Sequence, residues 1–162
     1  MSTCLIDCDA MPCFREWVIR PQDQLPHAVR GTIELDASKV RFIAPQKGKV
    51  RRSGHEWLKA LKGEPVLNAC VLQYLLSRSD LIPDSWKLPS EDGGYFAIAF
   101  PGTVYYSDDG WNEPSVFDAT DEETSTTFVR CLLFSEGRWK ETFARLARDD
   151  LDSYFLAAIW TP

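Results

Sequence analysis

Histidine, methionine and long apolar runs are all scarce in this 162-residue chain, which has two residues each of the first two. A serine nucleophile needs a histidine base held by an acid. Neither His27 nor His55 sits in such a setting, and no G-x-S-x-G occurs. His55 and Glu56 are neighbours, but consecutive helical residues do not face one another. There is no Walker loop, no G-x-G-x-x-G and no H-E-x-x-H, so no cofactor is expected. No apolar run approaches the roughly 20 residues of a membrane-spanning helix, so no membrane association is expected. The opening "MSTCLIDCDAMPCF" lacks a basic n-region and does not read as a secretory signal. Five cysteines without such a signal read as reduced thiols in a cytoplasmic protein. Cys4, Cys8 and Cys13 lack the tight C-x2-C pairs of structural zinc sites, so they read as small buried thiols and no metal is expected.

What is present is an ordinary globular composition. Hydrophobic residues make up 44% and charged residues 26% of the chain, and the length suits one domain spanning 1–162. Aromatics reach 12%, with six tryptophans, which points to a thick aromatic core in preference to exposed binding aromatics. A formal net charge of −6 argues against wholesale binding to nucleic acid or anionic membranes.

The first forty residues mix short apolar clusters with Pro12, Pro21, Pro26 and Gly31, and predict two or three short strands. "KVRFIA" (39–44) alternates and predicts another. Ser53 followed by Glu56 forms a capping box, with Trp57, Leu58 and Leu61 at helical spacing and Gly63 as the left-handed exit; a short helix over 54–62 follows. Asn68 is a good N-cap for a helix over 68–77, and Leu67 and Leu72 are placed for a hydrophobic staple. Val71, Leu72, Leu75 and Leu76 form its apolar stripe, so this helix is core rather than a site. Cys70 has no neighbouring cation in sequence to activate it. Pro83 ends the helical run. Downstream the period shortens. "YFAIAF", "TVYYS" and "FVRCLLF" read as strands, and "YFLAAIW" is a final buried segment. The stretch 138–147 fits either a helical stripe or, after the short "SEG" turn, the second strand of a hairpin, which is preferred. The fold class expected is α+β, a single domain with an antiparallel sheet packed against two short helices.

The ordered set "IDCDAMP", "KGKVRRSGHEWLKAL", "PVLNACVLQYLL", "LIPDSWK", "GTVYYSDDG", "VRCLLF" and "GRWK" resembles a family of small bacterial proteins of unknown function. Its members carry close variants of these pieces over most of the chain. The resemblance implies a bacterial protein and brings no activity with it. Here an acidic insert at about 111–127 separates the "SDDG" turn from the following strand, where the family runs almost directly on.

Paired carboxylates such as Asp108-Asp109 could support a small carboxylate-dependent hydrolase, but turn formation and solvation account for them, and no catalytic residue is assigned. Charge is more informative. Lys39 to Lys62 holds eight Lys/Arg and one Glu, centred on Lys47, Lys49, Arg51 and Arg52 before a helix start. The segment 111–127 holds five acids and no base. The best reading is therefore a small protein acting by binding a macromolecular, most simply a protein, partner. Its candidate contacts are Lys47, Lys49, Arg51, Arg52, Trp111, Glu113, Asp121 and Glu122. Nucleic-acid contact through 47–52 is a weaker alternative, opposed by the overall acidity.

Overall fold

The structure, a computed structural model, describes residues 5–10, 12, 20–44, 53–107, 126–146 and 154–161. The strands are β1 (Leu5–Asp7), β2 (Arg20–Gln24), β3 (Thr32–Glu34), β4 (Val40–Ile43), β5 (Ala97–Ala99), β6 (Thr103–Ser107), β7 (Thr126–Ser135), β8 (Arg138–Arg145) and β9 (Phe155–Trp160). Two α-helices, α1 (Gly54–Ala60) and α2 (Ala69–Ser77), lie between β4 and β5. β1 and β3 pair as a small antiparallel sheet, and the other seven strands form one larger sheet.

β7 is the spine of that sheet. β8 covers one of its edges from Phe128 opposite Arg145 to Ser135 opposite Arg138. The other edge is shared. β6 pairs with the start of β7 and β5 with its later half. β5 and β6 follow one another in sequence and run the same way, broken by a bend at Phe100–Gly102. β2 extends the sheet outward from β6, while β9 and then β4 extend it from β5.

The α+β class is as expected, but the sheet is mixed and not purely antiparallel. β5 and β9 run parallel, with Ala97 beside Phe155 and Ala99 beside Ala157. No hairpin joins these two strands, because β6, β7 and β8 intervene, so no local turn could announce their direction. The stretch 138–147 resolves as strand through Arg145. Its ambiguity was real, since Trp139 and Phe143 are four apart and share a face in either geometry. Thr126 and Thr127, assigned by sequence to the acidic insert, begin β7.

Alternation along β7 sorts the core into two faces. Leu132 lies in one cluster with Leu67, Val71, Leu72 and Leu75, against which Trp139 and Leu76 also pack. Val129 and Cys131 lie in another with Trp57 and Leu61. The sheet is therefore covered by α2 on one face and α1 on the other. The Ser53–Glu56 capping box forms as predicted, and Gly63 takes φ 88°. At α2 the first amides are satisfied from two directions. Asn68 Oδ1 accepts from Cys70 N at 3.1 Å, and Thr103 Oγ1 of β6 accepts from Ala69 N at 3.2 Å. Leu76 is only half-buried, on the flank of the stripe.

The bend between β5 and β6 rests on the absence of a side chain. Gly102 N donates to Leu67 O at 3.0 Å, and Leu25 N donates to Gly102 O at 3.0 Å. A Cβ on Gly102 would lie 2.9 Å from both Leu67 O and Asn68 Cβ, and 3.0 Å from Ala28 Cβ. Backbone and short buried groups cannot swing aside. Gly102→Ala is therefore expected to destabilise the fold by about 1–3 kcal/mol through overpacking. Leu72→Ala and Leu75→Ala should each cost about 2–5 kcal/mol, and the half-buried Leu76 less. Urea midpoints measure all four, and a Gly102→Ala midpoint equal to wild type would sink the close-approach account.

Candidate functional site

All eight predicted contact residues, Lys47, Lys49, Arg51, Arg52, Trp111, Glu113, Asp121 and Glu122, lie outside the described residues. The strands that lead to them are described. β4 is antiparallel to β9, β9 is parallel to β5, and β5 and β6 both oppose β7. β4 and β6 consequently run in opposite directions.

His55 is exposed in the first turn of α1. His27 Nε2 is buried without a hydrogen-bond partner among the described residues. Cys8, the one described member of the N-terminal cysteine trio, is fully buried. Among the described residues no three His, Cys, Asp or Glu side chains converge as metal ligands.

Two clusters do assemble. The first is enclosed. Arg130 of β7, almost fully buried, donates to the Glu141 carboxylate of β8 and, at 3.3 Å, to Tyr105 Oη of β6. Tyr105 Oη in turn donates to Pro12 O at 3.4 Å. Asn68 Nδ2 donates to Cys8 O at 2.7 Å, and Cys70 Sγ to Ala10 O at 3.1 Å. Three side chains thus hold the alternate carbonyls 8, 10 and 12 of an N-terminal segment. The thiols here are the reverse of activated. Burial pushes Cys8 up from 9.0 to about 12, with Cys70 and then Asp9 adding to it. Burial and then Asp7 push Cys70 up to about 11, against the opposing pull of Arg130. Such thiols stay protonated, which disfavours nucleophilic chemistry, and Cys70 uses its proton as a donor.

The second cluster is an open cleft of about 610 Å³ between the chain that follows α2 and the tip of the β7–β8 hairpin. Each wall has a local cause. After α2 a turn of 3-10 helix runs over Ser79–Leu81, and Pro83, at φ −66° and ψ 148°, starts another over Asp84–Trp86. Ile82 and Trp86 are buried, with Trp86 edge-on to Phe42 at 5.0 Å. That anchoring leaves Asp80 and Asp84 outward, 64% and 92% exposed at the side chain. On the facing wall Glu136 and Gly137 both take positive φ, 53° and 74°, the signature of a two-residue type I′ turn. The turn closes Ser135 against Arg138 and brings Phe134 opposite Trp139.

Phe134 and Trp139 supply the aromatic part of the cleft lining. Phe134 meets Trp139 edge-on at 5.2 Å and Tyr95 at 5.4 Å, and Tyr95 is 40% exposed. Lys87 Nζ sits 4.2 Å from the Phe134 centroid and 2.6 Å from Asp84 Oδ1. Arg78 grips Asp80 with two bonds of 3.1 Å, and this holds the Asp80 carboxyl below its usual range. Lys140 holds Glu136 similarly, and Arg138 adds least to that effect. Among the described residues no hydrogen bond or ion pair engages the Arg138 guanidinium.

None of the cleft residues was singled out as a site by sequence reasoning. The signal that could have found them is the pair "LIPDSWK" and "GRWK", which are distant in sequence and supply Asp84, Lys87, Arg138 and Trp139. No family model matches the chain, and no curated protein or solved structure shows significant similarity to it.

Two outcomes are expected. Above 9.0 the unfolded chain releases thiol protons that the folded chain retains at Cys8 and Cys70. Stability therefore falls as pH rises from there toward 11. Urea unfolding at about pH 8 and about pH 10.5 should show the drop, and a Cys8→Ala/Cys70→Ala chain should show less of it. At the hairpin, Glu136→Asn suits the left-handed position better and should stabilise by roughly 0.5–1 kcal/mol net of the exposed Lys140 pair. An unchanged or lower melting temperature would contradict the type I′ assignment.

Proposed function

We propose that this protein acts by binding a protein partner, not by catalysis, and that the cleft between the 79–87 segment and the β7–β8 hairpin is its contact surface. The observation that carries this reading is the aromatic pair Phe134 and Trp139 in a cleft whose lining also includes Arg138, an arginine that no hydrogen bond or ion pair engages among the described residues. Arg, Trp and Tyr are the residue types that dominate binding energy at protein interfaces. The fixed hairpin and the ion-paired floor present them with little ordering left to do on association.

The carboxylates of the cleft fit this reading better than a hydrolytic one. A two-carboxylate mechanism keeps one acid protonated near neutrality by burial or by a like charge. Asp80 is instead held ionised by Arg78, and Asp84 is open to solvent against Lys87. Lys47, Lys49, Arg51 and Arg52 remain proposed steering charges. As steering charges they would act on the encounter and its salt dependence.

A photo-crosslinking residue in place of Ser79, which lines the cleft, should capture a partner from lysate. The same residue in place of the exposed Lys59 on α1 should not. Adding Trp139→Ala should reduce capture by about tenfold or more, as hot-spot truncations do. Equal capture at both positions, or capture indifferent to Trp139, would remove the cleft from the proposal. Hydrolytic turnover lost on Asp84→Asn would overturn the binding reading itself.

A further inference from the structure

Among the described residues the larger sheet ends at β4. The bonds around β9 fix which way the backbone groups of β4 point. Thr161 N donates to Lys39 O at 2.8 Å, so these two residues face one another as a hydrogen-bonded pair. Such pairs recur at every second residue of an antiparallel ladder, so Arg41 with Ile159 and Ile43 with Ala157 are bonded too. Trp160 N and Ala158 O agree, since they turn the other way, to Pro65 O and Leu67 N. Val40 and Phe42 therefore aim their N–H and C=O groups outward. The Val40 amide is used within the chain, donating to Ala37 O. Among the described residues no hydrogen bond engages the Phe42 amide, the Phe42 carbonyl or the Val40 carbonyl.

An open edge is a template for one more strand, and the side chains of β4 say which strand. Arg41 is exposed, and no hydrogen bond or ion pair engages it among the described residues. Between Asp36 and Glu56 the chain carries six Lys/Arg and no acid. On the opposite face of β4, Val40 is buried and Phe42 is half-buried, its ring 5.0 Å from that of Trp86. Successive side chains of an added strand would meet these two faces in turn. A second copy of β4 would bring the same positive charges, and like charges oppose that pairing. Nucleic acid matches the charge but not the edge, because phosphate oxygens only accept and cannot serve the two open carbonyls.

We infer that the outer edge of β4 takes up an extended segment of a protein partner as a further antiparallel strand, and that this segment alternates acidic with apolar residues. The acids lie on the Arg41 face and the apolar side chains on the face of Val40 and Phe42. The apolar residue opposite Phe42 exchanges both backbone bonds with it. This contact makes no use of the cleft, so its failure would leave the proposed function standing.

Four fluorescent probes test it by polarisation at low salt. They are a doubly capped Ser-Glu-Val-Glu-Val-Glu-Val-Ser peptide, its Lys-for-Glu counterpart, a form N-methylated at every valine, and a single-stranded oligothymidylate. The Glu peptide is expected to bind more tightly than about 1 mM, and the other three about tenfold more weakly or worse. Arg41→Glu should weaken the Glu peptide by about threefold or more and strengthen the Lys peptide, with the circular dichroism spectrum unchanged. Amide exchange reads the edge directly. In the free protein Phe42 should exchange fast, and Arg41 and Ile43 slowly. Glu peptide at about ten times its Kd should slow Phe42 by about tenfold. Equal affinity for the Glu and Lys peptides overturns the inference, as does equal affinity for the N-methylated form or tighter binding of the oligonucleotide. So does binding indifferent to Arg41→Glu, or no binding at about 1 mM. A Phe42 amide already slow in the free protein, or unmoved by saturating peptide, overturns it as well.

Discussion

The fold turns on a close approach at Gly102. There the strand running from β5 into β6 bends, and the chain entering α2 lies directly against it, so that Leu67 O receives the Gly102 amide. The space a Cβ would need is filled by Leu67 O, Asn68 Cβ and Ala28 Cβ. With backbone this near backbone, the first amides of α2 find their partners inside the junction. Asn68, fully buried, caps α2 with its carbonyl oxygen and holds Cys8 O with its amide nitrogen. Thr103, one residue beyond the glycine, takes the first amide of α2.

That junction fixes the direction in which α2 crosses the sheet and hence where its C-terminus delivers the chain. The 3-10 turns after Ser77 are held down by Ile82 and Trp86, and the outward residues between them face the hairpin tip. The hairpin is placed by eight cross-strand pairs between β7 and β8 and by a turn with two left-handed residues. The cleft is therefore the meeting of two rigid walls. Asp80 is paired with Arg78 and Asp84 with Lys87, and the half-buried Trp139 lines the same cleft.

The enclosed cluster illustrates a different use of charge. Arg130 is buried in mid-sheet, where an unpaired guanidinium would be costly, and Glu141 on the adjacent strand offsets it. The pair then orients Tyr105, whose hydroxyl reaches Pro12 O. With Asn68 and Cys70 this ties down an N-terminal segment through side chains, beyond the backbone bond from Cys8 N to Gly31 O. These fixed donors are aimed at backbone carbonyls, and the thiols, desolvated and near acids, are held protonated.

Local order was legible in the residues. Ser53 and Glu56 specified a capping box, Asn68 an N-cap, Gly63 a left-handed exit and Pro83 a helix stop, each because its physics acts within a few residues. The alternation of "TVYYS" and "FVRCLLF" specified strands for the same reason. Sequence could not say that β5 and β9 run parallel, because no short connection encodes that register. It could not separate helix from strand at Trp139 and Phe143, whose spacing satisfies both. Nor could it show why Gly102 is a glycine, since the atoms that crowd it come from residues 28, 67 and 68. The cleft belongs to the same class. Asp84 and Arg138 lie more than fifty positions apart. Whether each charge is spent on a neighbour or left for a ligand depends on distances across the fold, and those exist only once the two walls have met.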